Sequence, residues 1–192
     1  MDFYTRRFLW GKIYVIRHCL AQGQSLDAPL TQKGIEQAES LADFFKGIKI
    51  NRILSSPFLR AIQSIEPLSI RESMTIEIDE RLSERRLSTR DLPDWYEKLQ
   101  ATFVDMDLKY DGGESSNEAM DRIVDVVKDA FARDVDNTLI VSHGNIISLL
   151  LKYYDMTIDF HCWKNLSNPD VYLLSPKHNE VMIERIWSSQ HE

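Results

Sequence analysis

Ile13-Tyr14-Val15-Ile16-Arg17-His18 is an apolar run that stops at a basic pair, and Leu139-Ile140-Val141-Ser142-His143-Gly144 is a second apolar run that stops at a histidine. Short unbroken apolar runs of this kind read as strands buried on both faces, as in a parallel sheet covered by helices. Both strands would then deliver an imidazole to the same edge of the sheet. In open α/β folds that edge, beyond the carboxyl ends of the strands, is where ligands bind. Two imidazoles with at least two guanidiniums form a cationic pocket suited to a phosphate dianion.

Working outward, the first strand is expected over 12–16, followed by a polar loop from Leu20 to Pro29. Thr31 caps a helix whose Ile35, Ala38, Leu41, Ala42 and Phe45 recur at the 3.6-residue period, and Gly47 stops it. Asn51 to Leu54 is a short strand. Ser56-Pro57 then reads as the N-cap and first residue of a helix with Ala61, Ile62 and Ile65 inward, ending or kinking early at Pro67. Met74, Ile76 and Ile78 alternate as a strand. Residues 79–113 are polar and aperiodic, and are expected to form an insertion with short helices near the active site. Ser115-Ser116-Asn117-Glu118 is a capping box that opens a helix with Ala119, Ile123, Val126, Val127 and Ala130 on one face. An apolar helix follows His143, and two strands, Val171–Leu174 and Val181–Ile186, flank a turn at 176–179. The alternation of strands and helices predicts an α/β fold: one domain over 1–192, with a mainly parallel sheet and helices on both faces.

The chain has 23 Lys and Arg against 30 Asp and Glu, a formal charge of −7. The molecule as a whole therefore repels nucleic acid and anionic membranes, and an anion site must be a local pocket. Neither nucleic acid nor membrane is expected as a partner. Cys19 and Cys162 give no disulfide framework and no metal-type pair, and His161 beside Cys162 lacks further residues at ligand spacing. His178 and His191 read as turn and tail residues. The N-terminal stretch holds no secretory apolar core, and 146–151 is too short to span a bilayer, so a cytoplasmic location is expected.

Four segments in order carry a resemblance: Val15-Ile16-Arg17-His18, Ala28-Pro29-Leu30-Thr31-Gln32-Lys33-Gly34, Ser55-Ser56-Pro57-Phe58-Leu59-Arg60-Ala61 and Val141-Ser142-His143-Gly144-Asn145. Together they resemble the histidine phosphatase superfamily, the phosphoglycerate mutase-like family, across about residues 12–150. The resemblance implies that His18 accepts the phosphoryl group while Arg17, Arg60 and His143 hold its non-bridging oxygens. It implies a small phosphorylated metabolite as substrate, with no cofactor and no metal. Arg81-Leu82-Ser83-Glu84 resembles the family segment whose glutamate protonates the leaving group. Otherwise Glu84 would merely neutralise Arg81, Arg85 or Arg86 on an exposed turn, and Glu114 is the competing acid.

Three positions depart from the family pattern. Cys19 stands where a glycine is usual, Ala21 replaces Thr or Ser, and Gln24 replaces a phosphate-loop asparagine. Gln24 can still offer an amide N–H to a phosphate oxygen, and with Asn145 completes the expected substrate-binding set. The Arg-His-Cys variant resembles a bacterial subgroup of the family. Cys19 is not expected to be a nucleophile, since cysteine-dependent phosphatases need an arginine where this chain has Ser25. It reads as a partly buried filler whose cationic neighbours could lower its pKa and leave it oxidisable. A phosphomonoesterase is the leading expectation. A phosphoglycerate mutase-type phosphotransferase and a non-catalytic phospho-ligand binder are the alternatives.

Overall fold

The computed structural model describes residues 11–133, 135–177 and 180–187. Residues 1–10, His178, Asn179 and His191 lie outside them.

Six strands form one sheet: β1 Lys12–Arg17, β2 Arg52–Ser55, β3 Ile76–Ile78, β4 Asn137–Ser142, β5 Asp170–Lys177 and β6 Glu180–Arg185. Their order is β3-β2-β4-β1-β5-β6. The first four are mutually parallel, and β5 and β6 are antiparallel additions on one side. Alternation along the central strands divides the core in two. Tyr14, Ile16, Ile53, Leu139 and Val141 face helices α1 Gln32–Phe44 and α2 Leu59–Arg71. Ile13, Val15, Leu54 and Ile140 face α4 Ser116–Phe131 and α5 Gly144–Tyr154. The fold is thus a single-domain α/β sandwich with helices on both faces, as the alternation of elements predicts.

Local chemistry explains most element ends. Thr31 Oγ1 accepts the Gly34 N–H at 3.0 Å, and Ser115 and Glu118 form the reciprocal capping box of α4. A Cβ on Gly34 would lie 2.0 Å from the Leu20 carbonyl oxygen. Only glycine lets the loop after His18 pack this closely on α1.

Several expectations are corrected. Ile35 does not face the core but is half exposed; Gln37 is buried instead, its amide bridging Leu20 N (2.9 Å) and the Asn168 carbonyl (2.5 Å). Ser56 is not the N-cap of α2. The helix starts at Leu59 with Phe58 as N-cap, because the Ser56 hydroxyl is engaged with His143. Nor does α2 stop at Pro67: it runs to Arg71, since buried Ile65 and Leu68 flank the proline and hold the last turn on the core against one lost backbone hydrogen bond. Ile62 is only half-buried. Pro176 and Lys177 belong to β5 rather than to a turn. The segment 79–113 supplies a 3-10 turn at Glu80–Leu82 and the ten-residue helix α3 Trp95–Val104, and a short α6, Phe160–Lys164, precedes β5.

Candidate active site

The register of the parallel strands assembles the site. Arg17 pairs with Ser142 across β1 and β4, and Ser55 pairs with Val141 across β2 and β4. The next residues, His18, Ser56 and His143, therefore emerge together at one edge, with imidazole centroids 5.1 Å apart for His18 and His143. Arg60, on the first turn of α2, comes to the same place. Its Nε donates to His18 Nε2 at 3.2 Å, and Nη1 donates to the carbonyls of Gln24 (3.2 Å) and Ser25 (2.9 Å). Arg60 is buried, 1% exposed.

These bonds define the tautomer of His18. Its Nε2 accepts from Arg60, so Nδ1 carries the proton and donates to the Cys19 carbonyl at 2.7 Å. Nε2 is therefore unprotonated, its lone pair held by the Arg60 N–H, and the residue lines the active-site cavity. Asn168 Nδ2 donates to the His18 carbonyl at 2.7 Å and fixes the backbone behind the ring. Arg17 is tied by Nη1 to the Leu166 (2.7 Å) and Ser167 (3.3 Å) carbonyls. Its guanidinium lies across Gly144, where a Cβ would come 3.1 Å from Cζ.

Buried polar atoms without a hydrogen-bond partner collect here: Arg17 Nε, His143 Nδ1, and both amide atoms of Asn145. Leaving such atoms unpaired is costly, so their convergence marks a place built for a polar ligand. Arg17, His18 and Asn145 line a cavity of about 490 Å³. It adjoins one of about 870 Å³ lined by Arg60, Arg86, Arg90 and Glu114; Gln24, Glu84 and Trp95 line both. Gln24 meets Arg60 through its carbonyl, and its side chain lies exposed at the mouth.

Glu84 makes no ion pair with Arg81, Arg85 or Arg86. Arg81 is taken by Asp79 and Asp129. Instead Glu84 Oε1 accepts the N–H of Arg85 (2.8 Å) and Ile146 (3.1 Å), and Oε2 accepts that of Asn145 (3.1 Å). The amides that open α5 are thus taken by a carboxylate of this chain rather than left for an external anion. Arg122 and Ser142 hold the turn that carries it: Arg122 Nη1 donates to the Arg81 (2.6 Å) and Ser83 (2.7 Å) carbonyls, and Ser142 Oγ to that of Leu82 (2.7 Å). Glu114 sits apart in a two-pronged pair with Arg122, at 2.8 and 2.9 Å. Burial raises its pKa, but Arg122 and the Arg86 N–H outweigh this and hold it below the usual range.

Burial also keeps the imidazoles neutral. It lowers His18 to about 3; the Cys19 carbonyl opposes and the charges of Arg60 and Arg17 add to the fall. His143 is pushed well below 6.5 by burial and then by His18 and Arg60. Cys19 is fully buried, which pushes its thiol up to about 12 despite a hydrogen bond from its neighbourhood at Ser64. The expectation of a lowered, oxidisable Cys19 is therefore wrong, because desolvation outweighs the nearby cations.

A stability prediction follows for the ligand-free protein. Below pH 6.5 an unfolded histidine takes up a proton that the folded His18 refuses until about 3, so stability falls with pH in that window. Each such histidine contributes a loss of up to ~1.4 kcal/mol per pH unit. Urea unfolding at pH 7 and 5 should show a steeper loss in the parent protein than in His18→Asn, which lacks one of the two groups. Equal slopes would refute it.

Comparison with known proteins bears on the same residues. A stretch of the bovine "Fructose-2,6-bisphosphatase TIGAR" is 31% identical over 80 residues, covering 40% of this chain and only 30% of that protein. The "Probable phosphoglycerate mutase GpmB" of Escherichia coli O1:K1 / APEC is 30% identical over 159 residues, 73% of each chain. The structure of Bacillus stearothermophilus YhfR superposes with a TM-score of 0.75 at 21% identity, covering 94% of this chain and 98% of that one. The profile of the Histidine phosphatase superfamily (branch 1) matches residues 13–188. That span takes in both imidazoles, both arginines and the Glu84 turn, and the chain belongs to this superfamily.

Proposed function

We propose that this protein is a phosphomonoester hydrolase that works through a phosphohistidine on His18. The observation that carries the reading is the set of buried polar atoms left unpaired beside His18, namely Arg17 Nε, His143 Nδ1 and both amide atoms of Asn145, with the Arg60 N–H resting on His18 Nε2. A phosphoryl group placed there would draw the Arg60 N–H off His18 Nε2 and onto its own oxygens, alongside Arg17, His143 and Asn145 and with Gln24 at the mouth, freeing the Nε2 lone pair to attack phosphorus. Among the described residues no group of three or more His, Cys, Asp or Glu is placed to hold a metal. The two guanidiniums supply the positive charge that transition-state oxygens need.

Glu84 is the general acid in this reading, and Glu114 is not, because its oxygens are committed to Arg122. A carboxylate offers about four lone-pair sites. Three accept backbone N–H groups, two on Oε1 and one on Oε2, which leaves a free site on Oε2 for the working proton. The step needs Glu84 to carry a proton on Oε2, and that proton passes to the leaving alkoxide as the P–N bond forms and the P–O bond breaks. The resulting carboxylate then takes a proton from the water that attacks phosphohistidine, returning phosphate and neutral His18.

We read residues 1–192 as one catalytic domain with 79–113 inserted beside the pocket. Among the described residues no helix is long and apolar enough to cross a membrane, in keeping with a cytoplasmic enzyme acting on a small metabolite. The similarity to a phosphoglycerate mutase keeps phosphotransfer as the second reading. A mutase must shield phosphohistidine from water, whereas Arg86 and Arg90 leave the larger cavity bordered by exposed side chains.

Phosphate release measured with and without a bisphosphorylated primer separates the two readings. Primer-independent release is expected, and isomerisation with negligible release would refute hydrolysis. Glu84→Gln should slow alkyl esters by roughly 10² to 10⁴, yet slow an aryl ester far less, since its leaving group hardly needs a proton. Equal, modest losses on both would remove Glu84 from acid catalysis.

A further inference from the structure

We propose that the site selects phosphate monoesters whose leaving group is a flat, uncharged ring, and that Trp95 is the side chain that reads it. The proposal rests on the hydrolase reading above and names its substrate class.

The cavity that Arg17 and His18 line is also lined by Trp95 and Leu99 of α3 and by Trp163 of α6. At about 490 Å³ it has room for a phosphoryl group and a ring system. The two indoles are backed by a train of aromatic rings joining α3 to α6. Trp163 stacks on Phe160 at 5.0 Å, Phe160 meets Tyr96 edge-on at 5.1 Å, and Tyr96 meets Trp95 edge-on at 5.7 Å. Rings packed in this way hold one another in place, and a flat ligand gains both buried area and favourable ring geometry against them. Trp95 is 51% exposed, a large apolar surface left open at the junction of the two cavities.

Charge points the same way. A leaving group with a carboxylate or a second phosphate would need a cation to spare, and most guanidiniums here are committed. Arg85 donates to the Glu114 carbonyl, Thr102 Oγ1 and Ser116 Oγ. Arg90 pairs with Asp111 at 2.6 Å and Arg122 with Glu114 at 2.8 Å. Arg86 also lines the larger cavity and is exposed, as are Glu80 and Asp91 on its wall. A second anion would meet carboxylates as readily as a cation, while a neutral ring meets Trp95.

The test compares benzyl phosphate with propyl phosphate, whose leaving alcohols demand similar chemistry, and with phosphoserine and 3-phosphoglycerate. The kcat/KM ratio of benzyl over propyl should be about 30, the scale expected for burying a phenyl-sized surface. Trp95→Ala, at a half-exposed position, should cut that ratio about tenfold. A ratio near one, a ratio unmoved by Trp95→Ala, or a preference for phosphoserine or 3-phosphoglycerate would overturn the proposal while leaving hydrolysis intact. If no ester releases phosphate, the hydrolase reading falls, and calorimetric binding of benzylphosphonate against propylphosphonate decides the pocket. Binding about 30-fold tighter for the benzyl compound, reduced in Trp95→Ala, supports it; equal binding overturns it.

Discussion

His18→Ala is expected to reduce phosphate release to background while the protein stays folded. The imidazole is neutral and makes two hydrogen bonds, to the Cys19 carbonyl and from Arg60 Nε, so its removal costs on the order of 1 kcal/mol of stability for each. Chemically the loss is total, because no other nucleophile lies at that position. Cys19 points into the core, and His143 is engaged through Nε2 with the Ser56 hydroxyl at 2.7 Å. Parent enzyme quenched in base during turnover of labelled ester should carry acid-labile, base-stable phosphate, absent from the variant. Near-normal turnover by a folded His18→Ala protein would end the phosphohistidine mechanism.

Arg60→Ala is expected to cost on the order of 10³ in turnover, the scale of an arginine that stabilises phosphoryl-transfer charge. The residue does two jobs that alanine cannot do. It faces the nucleophile through Nε, and it holds the loop at Gln24 and Ser25 through Nη1. Its guanidinium also lies over the Phe58 ring, 4.5 Å from the centroid. Lysine can occupy only one of these directions, so Arg60→Lys should recover little. Steady-state kinetics on circular-dichroism-matched proteins checks this. A mild defect that lysine repairs would mean that Arg60 serves the loop alone.

How much of this was legible beforehand depends on the range over which each signal acts. Strands β1 and β4, the Thr31 and Ser115 caps, the inward face of α4 and the Ala38, Leu41 and Ala42 part of that of α1 follow from periodicity and capping within a few residues. These are local effects, and a single stretch of chain contains them. The failures at Ile35, Ser56 and Pro67 share one cause. Each position has a local preference that a distant partner overrides: the loop and Asn168 around Gln37, His143 at Ser56, and the packed core around Pro67.

The amino-acid sequence by itself determined the α/β alternation and brought Arg17, His18 and His143 to strand ends, with Arg60 in the helix that follows β2, because a buried strand of given register can leave the sheet at only one edge. The tertiary structure alone decided what those residues can do. It showed the Nδ1–H tautomer of His18, the pinning of Arg17 by Leu166 and Ser167, and the raised thiol of Cys19. It also separated two similar glutamates, setting Glu84 on the amides of α5 and Glu114 on Arg122. Trp163 joins Trp95 beside the pocket from 68 residues further along the chain, as the numbering shows (163 − 95). Hydrogen bonds, desolvation and ring packing depend on distances of a few ångströms between segments remote in sequence, and no local pattern of residues encodes those distances.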